Sequence, residues 1–240
     1  MNMNYLNTSF VEAQQARLEI NNAVFQRLIA KSRSYLRRGQ YQQSAVFAEI
    51  AAYHATWHHS GLFASYELEE ILWSLAKQAV PAEKSFSVRN RSDINSVLHI
   101  ASMVVGLAGL QHMLPRWIEH DASRCHSVAV SQPSFGPVPE KLKRVVTASG
   151  GNIEFVGNTY EGAIARAQRI QSLATKADLI VLHLQTEDVA PIIGLSQKTG
   201  IPPVVLVNHA DHAFWIGATD LDIGTKVTAI FSEAFRGTFG

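Results

Sequence analysis

From Ser96 onward, short apolar runs alternate with helix-length amphipathic stretches, and few folds can accept that alternation. Ser96-Val-Leu-His-Ile-Ala101, His126-Ser-Val-Ala-Val130, Asn152-Ile-Glu-Phe-Val156, Asp178-Leu-Ile-Val-Leu-His-Leu184 and Pro203 to Val207 read as buried strands. Between them lie the helical stretches Gln111 to Glu119, Pro139 to Ala148, Tyr160 to Lys176 and Val189 to Thr199. Strands separated by helices of this length form βαβ crossovers, and right-handed crossovers give a doubly wound sheet. The expectation is an α/β fold with a Rossmann-like, doubly wound parallel sheet of about five to six strands. Asp220 to Ile230 could begin a further helix and strand, and the last residues to Gly240 show no periodicity.

Residues 1–80 follow a different pattern. Val24, Leu28, Ile29, Tyr35 and Leu36 repeat at helical spacing, Gly39-Gln-Tyr41 interrupts, and Ala45, Val46, Ala48, Ile50, Ala51 and Ala52 resume. Small residues at such a seam let two helices approach closely. Tyr35 to Ala45 looks like the turn of a tetratricopeptide repeat, but only one unit is evident. A lone hairpin of that kind must pack on something else. A third helix is expected over Ala64 to Gln78, capped by Ser65, with Glu67 to Glu70 favouring its positive N-terminal end. Residues 81–95 read as a linker, polar and rich in charge and serine from Pro81 to Asp93. The expected organisation is a tetratricopeptide-like helical extension (1–80), the linker (81–95) and a Rossmann-like domain (96–240).

Composition narrows the partners. With 21 Lys+Arg against 20 Asp+Glu the net charge is +1, so neither nucleic acid nor an anionic membrane surface is expected. The 240 residues are 47% hydrophobic, which supports a real core. Cys125 stands alone, so no internal disulfide can form, and a cytoplasmic location is expected. Met1 to Asn7 shows no signal-peptide pattern, and the longest apolar runs, such as Ala101 to Leu110, are too short to span a bilayer.

The densest polar cluster is Asn208-His-Ala-Asp-His212, just past the fifth strand and followed by Phe214 and Trp215. Ligands bind at that edge of open α/β sheets. Asn208, His209, Asp211 and His212 would hydrogen-bond a ligand. Trp215 would either stack on a sugar or close the core. No third or fourth metal ligand is specified, so no metal is expected. After the fourth strand, His183 with Glu187 and Asp188 could supply a general base. Thr186 to Asp188 could equally cap the next helix. The first βα loop, Ser102 to His112, carries Gly106 and Gly109, which either admit an anion or ease a tight turn. It lacks the Gly-x-Gly-x-x-Gly fingerprint, so no dinucleotide is expected. His54 and His58 are helix neighbours, read as a polar helix end.

Val97-Leu-His-Ile-Ala-Ser102, Arg116-Trp-Ile-Glu119, Ala177-Asp-Leu-Ile-Val-Leu-His183, Glu187-Asp-Val189 and Val207-Asn-His-Ala-Asp-His-Ala-Phe-Trp-Ile-Gly217 resemble the N-terminal half of bacterial glycosyltransferases of the GT-B type. The resemblance runs from about Tyr35 to Val227 and is most specific at Asn208 to His212; the strand pattern is shared by many folds. It implies an acceptor-side domain that holds a saccharide or other hydroxyl acceptor and often a catalytic base. A C-terminal domain would bind the nucleotide-sugar donor. On this reading the chain is truncated, lacks the donor domain, binds no cofactor of its own and is inactive alone. His209 and His112 are the candidate bases. The family's first loop carries a Gly-Gly-His-Thr-Arg-like string, of which Ala108-Gly-Leu-Gln-His112 keeps Gly109. Leu110 stands in the histidine's place and His112 in the arginine's. The competing expectation is a non-catalytic module in which the helical hairpin docks a protein partner on a Rossmann scaffold. A sugar-nucleotide binding domain of epimerase type is a third.

Overall fold

The computed structural model describes residues 3–81, 94–104, 108–132, 136–157, 161–197, 201–208 and 212–217. The helical region comprises α1 (Met3–Arg37), α2 (Tyr41–Trp57) and α3 (Tyr66–Ala79). Then follow β1 (Ser96–Ala101), α4 (Ala108–His120), β2 (Cys125–Val130), α5 (Glu140–Ala148), β3 (Ile153–Phe155), α6 (Ala163–Ala174), β4 (Leu179–His183), α7 (Val189–Leu195) and β5 (Val204–Leu206). The sheet is wholly parallel, in the order β3-β2-β1-β4-β5. This is the expected Rossmann-like α/β fold behind a helical region, and its described part has five strands.

Alternation along the strands sorts the side chains onto two faces. Leu98, Ile100, Ala129, Ile180, Leu182 and Val204 join a core with α6 and α7. Val128, Val130 and Ala101 pack with Leu114 and Ile118 of α4 and with Leu142, Val145 and Val146 of α5. Both faces are therefore covered, which is why the strands read as continuous apolar runs.

The helical region shares the first of these cores. Phe25, Ile29, Ala45, Ala48, Ala51, Ala52 and Ala55 are buried in one cluster with Ile170, Ala174, Ile192 and Ile193. The alanine seam of α2 thus lies against the sheet domain's own helices. Phe25 meets Phe214 edge-on at 5.5 Å, and the Trp215 amide donates to the Phe63 carbonyl at 2.9 Å. Gly39 makes the α1–α2 turn with φ +70°, a conformation that penalises a Cβ. Ser65 caps α3 as expected, its hydroxyl accepting from the Leu68 amide at 3.3 Å.

Several boundaries differ from the sequence reading. The first helix begins at Met3, well ahead of Val24, where the helical spacing starts to show in the sequence. Residues 10–20 are exposed all round, so no apolar stripe marks that part. The helix after β1 starts at Ala108, which puts Gly109 inside α4 rather than in the preceding loop. Pro115 lies within that helix. The helix expected over Tyr160 to Lys176 is observed as Ala163–Ala174, opened by extended Gly162. Most of the linker and the stretch Asp220 to Ile230 lie outside the described residues. Among the described residues no helix is long and apolar enough to cross a membrane.

Candidate functional site

In the order β3-β2-β1-β4-β5 the chain reverses its direction of winding between β1 and β4. A doubly wound sheet opens a crevice at the carboxyl ends of those two strands. Three neighbouring strands deliver polar groups there. Ser102 follows β1, Ser131 follows β2, and Asp188 occupies the N-cap position of α7 after β4. All three are buried.

Asp188 is the hub. Its Oδ2 accepts from Ser102 Oγ at 2.7 Å, and its Oδ1 from Ser131 Oγ at 3.2 Å. Arg166, from α6, reaches Asp188 Oδ1 at 3.5 Å and donates to the Ser131 carbonyl at 3.2 Å. Ser102 Oγ also accepts from the Gln185 amide at 2.9 Å, closing the turn after β4. Burial raises the Asp188 carboxyl above the ordinary carboxylate range, opposed by Arg166 and by the two serine hydroxyls. A buried carboxylate survives only with such a set of partners.

Helix α2 extends the cluster. Glu49 Oε1 lies 3.6 Å from Arg166 Nη2, and its side chain keeps 29% of its surface exposed. Burial pushes the Glu49 carboxyl up to about 7, with Arg166 pulling the other way and Asp188 and Glu187 adding to the rise. An acid of that strength exchanges protons near neutral pH, as a general acid or base must. Thr56, two turns further along the same face of α2, shares a 2.8 Å hydroxyl contact with Thr186.

A second polar set crosses the sheet on the face covered by α4. His183, at the end of β4, places Nε2 3.1 Å from His99 Nδ1. His99, in the middle of β1, places Nε2 3.0 Å from His126 Nδ1. His126, near the start of β2, places Nε2 3.0 Å from the Asp121 carbonyl and 3.4 Å from its Oδ2. The rings stack in succession at 5.3 and 5.2 Å, and Trp117 of α4 stands edge-on to His99 and His183. All three rings are buried. Burial, then His183 and His126, lower the His99 pKa well below the usual imidazole value. Among the described residues no three His, Cys, Asp or Glu side chains are grouped to hold a metal ion.

The residues expected from sequence are dispersed around this frame. His183 ends β4 and is buried in the imidazole row. Glu187 is half-buried and accepts from the Thr186 hydroxyl at 3.0 Å. Asn208 is half-buried just beyond β5, and His212 is exposed in the following turn. Trp215 is buried, and its amide donates to the Phe63 carbonyl. His112 is exposed on α4. Gly106, His209 and Asp211 lie outside the described residues. Sequence reasoning did not single out Glu49, Ser102, Ser131 or Arg166, nor His99 and His126. The histidines carry a readable signal: an imidazole inside a strand buried on both faces requires polar neighbours, and three adjacent strands each contain one. Glu49 has no such signal, because its partner Arg166 is distant in sequence.

Comparison with known proteins finds no matching family model, no matching curated protein and no matching solved structure.

Proposed function

We propose that this chain is the acceptor-side Rossmann-like domain of a GT-B type glycosyltransferase, which transfers a sugar from a nucleotide sugar to an acceptor hydroxyl. The observation that carries the reading is the delivery of Ser131, Ser102 and Asp188 to one sheet edge, with Glu49 titrating near 7 beside them. Asn208 stands at the same edge past β5. Over that buried frame, half-buried Glu49 and Asn208 are the groups left to meet a polyhydroxylated ligand. His209 and His112 are the candidate bases that the family resemblance implies, and Glu49 is a further group able to take an acceptor proton at neutral pH. Binding of the nucleotide sugar would fall to a separate donor domain.

Saturation-transfer NMR of the chain with a panel of saccharides, nucleoside diphosphates and nucleotide sugars tests this. Binding of a saccharide acceptor that weakens in Asn208→Ala supports the reading. Binding of nucleoside diphosphates without any saccharide overturns it and favours the sugar-nucleotide binding reading.

One observation favours the interaction module as a second reading. Val46, Ile50, Tyr53 and Trp57 recur at helical spacing along α2, and all are exposed, Trp57 by 67%. The stripe suits an amphipathic helix of a protein partner laid along α2. Crosslinking with mass spectrometry tests it: a partner helix crosslinked along α2 whose capture is lost in Trp57→Glu supports the module, and an unchanged crosslink pattern in that variant removes it.

A further inference from the structure

Helix α2 ends in His54-Ala-Thr-Trp-His58, and the two histidines occupy one face of its last turn. The His58 amide donates to the His54 carbonyl at 2.8 Å, so the helical register holds through the pair. Their rings lie side by side, with centroids 4.8 Å apart and planes 26° from parallel. His54 is half-buried and His58 is exposed.

Asn21 of α1 fixes both residues. Its backbone carbonyl faces His54 Nε2 at 3.1 Å, and a carbonyl only accepts, so Nε2 carries the hydrogen. In the neutral ring His54 Nδ1 is then a lone pair, the nitrogen left to ligate. The Asn21 side-chain amide donates to the His58 carbonyl and, at 3.4 Å, to the His59 carbonyl. It thereby holds the chain where it leaves the helix, with His59 in left-handed backbone at φ +37°. Tying one ring nitrogen to a carbonyl is how proteins orient a histidine whose other nitrogen binds a metal.

We propose that His54 and His58 together bind one borderline divalent cation of the Zn2+, Ni2+ and Cu2+ class, with water completing its coordination. Imidazole suits these ions and not Mg2+ or Ca2+, which take oxygen ligands. Histidines four apart are the spacing by which a helix offers two imidazoles to zinc. The last-turn carbonyls make this the negative end of α2, which favours a cation. Residues 50–66 contain neither Lys nor Arg to oppose one.

The chemistry also limits the role. Among the described residues no third His, Cys, Asp or Glu joins the pair, so the site is open and weaker than a closed four-ligand one. Where this spacing serves hydrolysis, a glutamate follows the first histidine as general base. Ala55 stands there, so this helix supplies no base for hydrolysis. The ion instead clips the last turn of α2 in place, beside the Asn21 contacts that join α2 to α1. The site lies outside the sugar-transfer reading and does not depend on it.

The test is titration of the 15N-histidine-labelled chain with Zn2+, read by long-range proton–nitrogen NMR and by thermal melting. The His54 and His58 rings should shift together and saturate with a single ion per chain, His54 coordinating through Nδ1. Mg2+ should move neither ring. Zn2+ should raise the melting temperature of the wild type but not of His58→Gln, a change at an exposed position that leaves the fold intact. Asn21→Ala, which frees the two carbonyls, should weaken binding by about tenfold. The site is overturned if Zn2+ saturates other histidines while His54 and His58 stay unmoved, or if only one of the pair responds. It is also overturned if no ring responds to Zn2+, or if His58→Gln binds the ion as tightly as the wild type. No saccharide is present in these measurements, so a failure of acceptor binding and a failure of the metal site are distinguishable.

Discussion

The Ser102 hydroxyl donates a 2.7 Å hydrogen bond to Asp188, joining the residue that follows β1 to the N-cap position of α7. The two are distant in sequence but adjacent where β1 and β4 end side by side. The bond crosses the point at which the sheet changes its direction of winding. It fixes the turn after β4 against β1, with Ser102 also accepting from the Gln185 amide. A turn held in this way lets a doubly wound fold present side chains in one geometry.

Arg166 stands between two carboxylates and is buried with one of them. Arg166→Ala should cost about 3–5 kcal/mol, because the Asp188 charge would be left buried with weaker compensation. Asp188→Asn added to that variant should recover part of the loss, since no buried charge then remains. Urea unfolding of the wild type, both single variants and the double variant measures the coupling. Strictly additive losses would deny the pairing any energetic role.

Glu49 makes stability depend on pH in a stated direction. Its carboxyl sits near 4.5 when unperturbed and about 7 in the fold, so the folded state holds the proton more tightly. That contribution is fully present below about 4.5 and is lost as pH rises through about 7. Glu49→Gln imitates the protonated acid. Its melting temperature should match the wild type at about pH 4 and exceed it at about pH 8. An equal offset at both pH values would count against the raised acidity constant.

Gly194 sets the spacing of α7 on α6. A Cβ there would come 2.5 Å from the Ala167 carbonyl oxygen. Gly194→Ala should destabilise the chain by about 1–3 kcal/mol, despite the better helix propensity of alanine, because backbone must move. Chemical denaturation decides between the two effects; a stabilised variant would mean that the helices slide apart at little cost.

The exposed stripe of α2 should be dispensable for folding. Trp57 is 67% exposed and Tyr53 50%. Tyr53→Ser with Trp57→Ser should shift stability by no more than about 0.5 kcal/mol per site, the usual scale for surface positions. Circular dichroism melts check this. A large loss would show that the stripe packs within the folded chain.

The fold was legible because its determinants are local. Apolar runs such as Val97 to Ala101 and Leu179 to His183, separated by helix-length segments, suffice to call for parallel strands joined by crossovers, and the observed strands fall within a residue or two of those runs. Ser65 declared its cap in the same way, since a cap needs only the next turn of chain. Helix α1 before Asn22 left no such trace, because a solvated helix has no buried face to set a period.

The candidate site was legible in part. Sequence pointed to the carboxyl edge and to His183, but gave no reason to join Glu49 to Arg166, or His99 to His126. Such contacts depend on strand order, and strand order is decided by how βαβ units close against one another. Residue types and their spacing along the chain determined by themselves that a parallel α/β sheet forms behind a helical hairpin. The tertiary structure alone decided that β1 lies between β2 and β4. That placement aligns three imidazoles into one hydrogen-bonded row and gathers Ser102, Ser131 and Arg166 around Asp188. The reason is physical: local sequence fixes which backbone conformations are favourable, whereas burying charged and polar groups requires partners that only the packed chain brings within reach.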